Sequence, residues 1–194
     1  TYMLICCINS FMRKILLMLL LFPAFSLFAQ NFTVTPEGLR DATDLEKSYI
    51  VLDFEGVSVM DLYEKSLGFI NEHMKNPKES IKAQAEDEYL RFSTFRPNVF
   101  KYNNSGAKFP VDFWYDTELR FKDGKIRYEI TDLRMETEKY PVPFSGSKWS
   151  TYPVYERNGK LFKESAKKEI EDYFNVMIKI FQDYINGDLK DEDW

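Results

Sequence analysis

The stretch Asp112–Leu133, DFWYDTELRFKDGKIRYEITDL, decides how this chain folds. Asp123-Gly124 lies between two alternating runs and is a strong signal for a two-residue type I′ turn, whose central positions take positive φ. A two-residue loop fixes the register. It sets Phe121 opposite Ile126, Leu119 opposite Tyr128 and Thr117 opposite Ile130. Side chains alternate between the two faces of a strand, so these six form one largely apolar face. On the other face Arg120 meets Arg127 and Glu118 meets Glu129. The diagonals Arg120 to Glu129 and Glu118 to Arg127 are expected to offset that repulsion. One face of the hairpin is dry and the other wet.

Working upstream, the period of two continues back to Glu79, through Ile81, Ala83 and Ala85 and then Leu90 and Phe92. Before it, Ser58 opens a helix with Asp61 as its capping-box partner and Val57 and Leu62 at staple positions. The stripe Val59, Leu62, Tyr63, Ser66, Ile70, Met74 follows helical spacing, and Asn76-Pro77 ends it. SYIVLDFEG, Ser48 to Gly56, reads as a first strand with Ile50, Leu52 and Phe54 on one side. Asn31 to Lys47, polar and carrying Pro36 and Gly38, reads as an irregular lead-in. Downstream, Glu136 to Pro153 is a Pro- and aromatic-rich connection, and Asn158-Gly159 marks a small turn. A last helix runs from about Ser165 to Asn186, with Gly187 as its C′ residue. Its stripe is Ile170, Tyr173, Phe174, Met177, Ile178, Phe181 and Ile185. Two helices with one apolar stripe each, and a sheet with one apolar face, cover one another. The expected fold is a two-layer α+β domain, β-α-β-β-β-β-α, an antiparallel sheet with both helices on one face.

Residues 12–30, MRKILLMLLLFPAFSLFAQ, have the grammar of a secretory signal peptide. Arg13 and Lys14 form the charged n-region, Ile15 to Phe28 the apolar region, and Ala29 a small residue before a cut at Gln30; Leu27 at −3 is larger than ideal. The apolar run falls short of the roughly 20 residues a membrane span needs, with an uncleaved N-terminal anchor as the alternative. Residues 1–11 read as an upstream extension with Met12 as the start. Cys6 and Cys7 precede the charged region, the wrong place for a lipoprotein acceptor. The expected organisation is residues 1–29 extension and signal peptide, 30–187 one domain, and 188–194 an acidic tail.

Removing residues 1–29 takes two of the 26 Lys and Arg and none of the 31 Asp and Glu, leaving a net charge of −7. Nucleic-acid binding needs clustered cations to displace counterions from phosphates, so it is not expected, and neither is adhesion to an anionic membrane surface. Both cysteines are in the leader, so an apolar core must carry stability without a disulfide.

The leader ending SLFAQ, the segment Thr117–Asp132 and the closing helix with its DEDW end resemble a family of uncharacterised secreted proteins of Gram-negative gut anaerobes. They carry a domain of unknown function with a TATA-binding-protein-like (TBP-like) fold. The resemblance spans nearly the whole mature chain. It implies strand, helix, four strands, helix, and no activity, since a fold does not carry its namesake's function with it.

His73 is the sole histidine and sits in the last turn of the first helix, where the dipole favours it. With one His and no mature Cys, neither a triad nor an ordinary zinc site is expected. No catalytic residue, metal or cofactor is assigned. Asp112, Asp116, Glu118 and Glu129 on the wet face keep open a carboxylate-dependent hydrolase acting on envelope glycans or peptides. The preferred reading is a non-enzymatic, periplasmic or extracellular module, without a stable membrane anchor after cleavage, that binds an unknown protein or small ligand on its exposed sheet face. Trp114, Arg120, Arg127, Tyr140 and Trp149 are its expected contact residues, exposed aromatics beside Arg being typical anchors. The alternative for the aromatic loop, including Tyr152, is that it packs on the sheet edge and hides its rings.

Overall fold

The computed structural model describes residues 30–147 and 150–188. Residues 1–29, on which the signal-peptide reading falls, Lys148, Trp149 and residues 189–194 lie outside the described residues. The elements are β1 (Phe32–Thr35), β2 (Gly38–Asp41), β3 (Tyr49–Asp53), α1 (Val59–His73), the short α2 (Pro77–Ser80), β4 (Ile81–Ala85), β5 (Tyr89–Asn104), β6 (Ala107–Lys122), β7 (Lys125–Glu136) and α3 (Glu164–Asn186). β3 to β7 form one antiparallel sheet in the order β3-β7-β6-β5-β4. β1 and β2 form a separate hairpin.

The Asp123-Gly124 turn sets the register its sequence specifies: Phe121 pairs with Ile126, Leu119 with Tyr128, and Thr117 with Ile130. Gly124 has φ +68°, and a Cβ there would stand 3.3 Å from the Phe54 carbonyl, so the position suits glycine on both counts. Ile50, Leu52, Leu90, Leu119 and Ile126 are fully buried on the resulting apolar face. Both helices cover it. Tyr63 of α1 meets Phe121 edge-on at 5.5 Å, and Phe174 and Phe181 of α3 meet Tyr115 and Tyr128 at 5.2 and 5.6 Å. The helices also touch each other through Phe69 and Phe181, 5.2 Å apart and perpendicular. Phe69 was absent from the expected stripe, yet it joins the two helices. Gly68 beside it explains the closeness of approach, since a Cβ there would lie 2.8 Å from the Tyr184 hydroxyl. Ser58 caps α1, its Oγ accepting from the Asp61 N–H at 3.1 Å and donating to Asp61 Oδ2 at 2.7 Å. His73 Nδ1 lies 3.0 Å from the Phe69 carbonyl and its ring stacks on Phe69 at 4.3 Å, a packing role.

Two expectations need correction, and one open choice is decided. First, the lead-in is not irregular. FTVT alternates, so Phe32 and Val34 turn inward and are buried, while Pro36-Glu37 makes the turn to β2. Second, the diagonal charge pairs do not form. Arg127 bonds to Glu129 of its own strand at 2.6 Å, and Arg120 lies over the Tyr89 ring at 5.0 Å. The open choice concerns the connection after β7, whose described residues take the packed reading rather than folding over the wet face. It packs on the helix side of the long β5–β6 hairpin, where Tyr152 is buried against Tyr102 and Phe109. The Tyr102 hydroxyl donates to the Pro153 carbonyl at 2.8 Å, and burial pushes it up to about 12.

The β1–β2 hairpin is held to α3 by two side chains. Asn175 accepts from the Phe32 N–H at 2.8 Å and donates back to its carbonyl at 3.1 Å. Glu171 accepts from the Val34 N–H at 2.9 Å, from Thr33 Oγ1 at 2.7 Å, and from Lys167. Burial alone would push the Glu171 carboxyl up, but those hydrogen bonds outweigh it and leave it below its usual value. A depressed folded pKa contributes stability above the ordinary carboxyl pKa, and that contribution is lost as pH falls through the folded value. Glu171→Gln is therefore expected to cost about 1–2 kcal/mol at pH 7 and much less near pH 3, by urea unfolding at the two pH values.

Candidate functional site

Among the described residues, none covers the sheet face opposite the helices. Reading across the strands, it carries Tyr49, Glu129, Glu118 and Arg91 in one row and Val51, Arg127, Arg120 and Tyr89 in the next. Further along β6 come Asp116 beside Ser93 and Thr131, then Trp114 between Phe95 and Arg134. These assignments follow from pairing and the two-residue period.

Two bulges flank the Trp114 row. The β5–β6 register shifts between Arg96 and Phe100, and the β6–β7 register shifts between Trp114 and Asp116. Each bulged strand places an Asn or Asp at positive φ, Asn98 at 54° and Asp132 at 51°. These residue types tolerate the left-handed region best after glycine. Both are tied down: the Asn98 N–H donates to Asp112 Oδ1 at 2.8 Å, and Asp132 accepts from Arg91. Bulges re-aim the side chains beside them. Here they bring Arg134 level with Trp114, which counting residues from the turn does not foresee.

At the centre of the face Arg91 gathers three carboxylates. Its guanidinium lies 2.6 Å from Asp116, 2.5 Å from Asp132 and 3.8 Å from Glu118. The hydrogen bond to Asp116 is the largest reason its own proton is held more tightly than usual, with charge from Glu118 and Asp132 adding. Ser93 Oγ donates to the other Asp116 oxygen, and Thr131 to Glu118. Desolvation, then the Glu118 charge, pushes the neighbouring Tyr89 hydroxyl up. A proton-donating carboxyl needs an apolar pocket or an uncompensated second carboxylate. A guanidinium standing between them is the opposite arrangement, and it suits a rigid polar platform better than acid catalysis. Among the described residues no group of three or more His, Cys, Asp or Glu is placed to hold a metal ion.

Next to this platform is an aromatic step. Phe95, 49% exposed, stacks on Trp114 with centroids 4.8 Å apart and 30° between planes. Arg134 reaches over Trp114 at 5.9 Å. Of the expected contact residues, Trp114 thus sits in a surface cluster. Arg120 covers Tyr89, and Arg127 lies 3.8 Å from the Tyr49 ring, its buried Nε without a hydrogen-bond partner among the described residues. Tyr140 is exposed but contacts Tyr152 at 5.5 Å, on the helix side, so the structure does not bring it to Trp114. Trp149 lies outside the described residues. The sequence reading missed Phe95, Arg134 and Arg91. Phe95 did leave a signal: Leu90 and Phe92 set the inward phase, and a large aromatic at 95 falls on the polar phase.

Residues 49–136 match a protein family described as a domain of unknown function (DUF4468) with TBP-like fold. That span holds β3 through β7, while the β1–β2 hairpin and α3 lie outside it. The fold is shared with a DUF4468 family protein from Bacteroides ovatus, at 14% identity and a TM-score of 0.52, covering 76% of this chain and 91% of that one. A TBP-like protein from Parabacteroides distasonis aligns at 11% identity and a TM-score of 0.44, covering 68% and 89%. No curated protein matches.

If Arg91 is what allows three carboxylates to share this face, Arg91→Gln should lower stability by about 1 kcal/mol at low salt. The loss should shrink in 1 M salt, where screening falls to roughly 3 Å. Chemical unfolding at both ionic strengths checks it.

Proposed function

We propose that this chain, whose residues 49–136 match the DUF4468 family model, is a non-enzymatic binding module of the cell envelope. It engages a partner protein or ligand on the uncovered sheet face. The observation that carries this reading is the Phe95–Trp114 stack, a large aromatic surface on a face that no helix or loop among the described residues covers, with Arg134 beside it. Phe95 differs from the other exposed apolar side chains in being stacked on a second large ring with a cation beside it. Aromatic and Arg side chains are the types that dominate binding energy at interfaces. Arg120, Arg127 and the Arg91 cluster form the polar surround of the same face.

The envelope assignment is supported by the signal-peptide grammar of residues 12–30. Among the described residues no helix is long and apolar enough to cross a membrane.

The test is to cross-link the protein mildly in its native envelope and identify what accompanies it by mass spectrometry. Phe95→Ala combined with Trp114→Ala should leave circular dichroism unchanged and abolish the reproducible partner, at a cost of about 2–4 kcal/mol in affinity. A partner retained at full yield by the folded double variant would exclude this face as the binding surface.

A further inference from the structure

An open groove of about 1640 Å³ runs along the free side of β3, at the margin of the sheet. Val51 and Asp53 of β3 line it, with Asp41 and Lys47 on the hairpin side and Ile178 and Asp183 of α3 on the other. β3 is an edge of the five-stranded sheet. The direction of its backbone groups follows from one bond: the Phe54 N–H donates to the Gly124 carbonyl at 2.7 Å. In an antiparallel pair alternate residues turn their N–H and C=O to the same neighbour. Leu52 and Ile50 therefore bond to Ile126 and Tyr128, and the N–H and C=O of Val51 and Asp53 point outward. Among the described residues no backbone group pairs with that outer edge, and Gln30 reaches only the Asp53 side chain, donating to its Oδ2 at 3.2 Å.

Sheets usually blunt such an edge with a bulge, a proline or an outward lysine. The opposite edge, β4, does so, with a register shift between Ile81 and Ala83 and with Lys82. β3 is Tyr-Ile-Val-Leu-Asp in unbroken register and has none of these devices. The groove is also acidic. Five carboxylates line it, Asp41, Asp53, Glu55, Asp123 and Asp183, against Lys47, Lys125 and Lys179. The three lysines are already paired, with Asp44 at 3.0 Å, Asp53 at 2.7 Å and Asp183 at 2.8 Å. Among the described residues Asp41, Glu55 and Asp123 have no cation within ion-pair distance.

We propose that the outer edge of β3 receives an extended cationic peptide segment of a partner as a sixth strand. Main-chain hydrogen bonds to Val51 and Asp53 hold the strand, and the acidic walls select lysine or arginine at alternate positions of the incoming segment. This inference stands apart from the open-face reading and survives its failure.

The experiment uses the full chain, labelled for amide exchange by NMR, and an acetylated, amidated seven-residue peptide alternating Lys and Val. The Lys peptide should slow exchange at Val51 and Asp53 about tenfold or more, and the matching Glu-Val peptide should not. Glu55→Lys, an exposed change that leaves the edge intact, should weaken the Lys peptide about threefold to tenfold. The proposal is overturned if the Glu peptide binds equally well, or if the Lys peptide binds without slowing those two amides. It is equally overturned if both amides are already protected in the free protein, because another segment then holds the edge, or if about 1 mM Lys peptide has no effect.

Discussion

Everything else in this molecule hangs on the Asp123-Gly124 turn, because four elements are tied to it at once. It closes the β6–β7 hairpin in a two-residue loop. Its Gly124 N–H donates to the Val57 carbonyl at 2.9 Å, and its Gly124 carbonyl accepts from Phe54, which fixes the exit of β3. Asp123 Oδ1 accepts from the Val59 N–H at 2.9 Å and so occupies an open donor at the start of α1. One turn thereby sets sheet register, the path from β3 into α1, and the direction in which α1 crosses the apolar face.

From that register the two faces follow. The inner face is sealed by α1 and α3 and, at the far end of the long hairpin, by the connection that buries Val142, Tyr152 and Val154. The outer face is left to water and solves its charge problem locally, through Arg91 and through Arg127 with Glu129. Local pairing leaves Phe95, Trp114 and Arg134 as the features the fold itself does not use.

Much of the architecture was legible because it rested on short-range chemistry. The turn dipeptide, the Ser58 cap, the two helical stripes and the Gly187 terminus, with φ +78°, are each local signals. What escaped depended on events far apart in sequence. Phe32 and Val34 become a strand because Asn175 and Glu171, some 140 residues later, bond to them. The diagonal ion pairs failed because β5 brings Arg91 alongside β6, a competitor that the hairpin's own sequence does not contain. The candidate site was half visible: Trp114 could be placed by counting from the turn, whereas Arg134 comes level with it only through the bulge at Asp132.

The most direct test of this dependence is to insert one glycine after Asp123 and, separately, one after Ser105 in the turn at the other end of β6. A one-residue slip moves every side chain of a strand to the wrong face, so the first insertion should abolish cooperative urea unfolding. The second lies at an exposed tip and should cost no more than about 1 kcal/mol. Equal tolerance of both insertions would contradict the claim that the Asp123-Gly124 turn determines the register on which the sheet, its core and its open face depend.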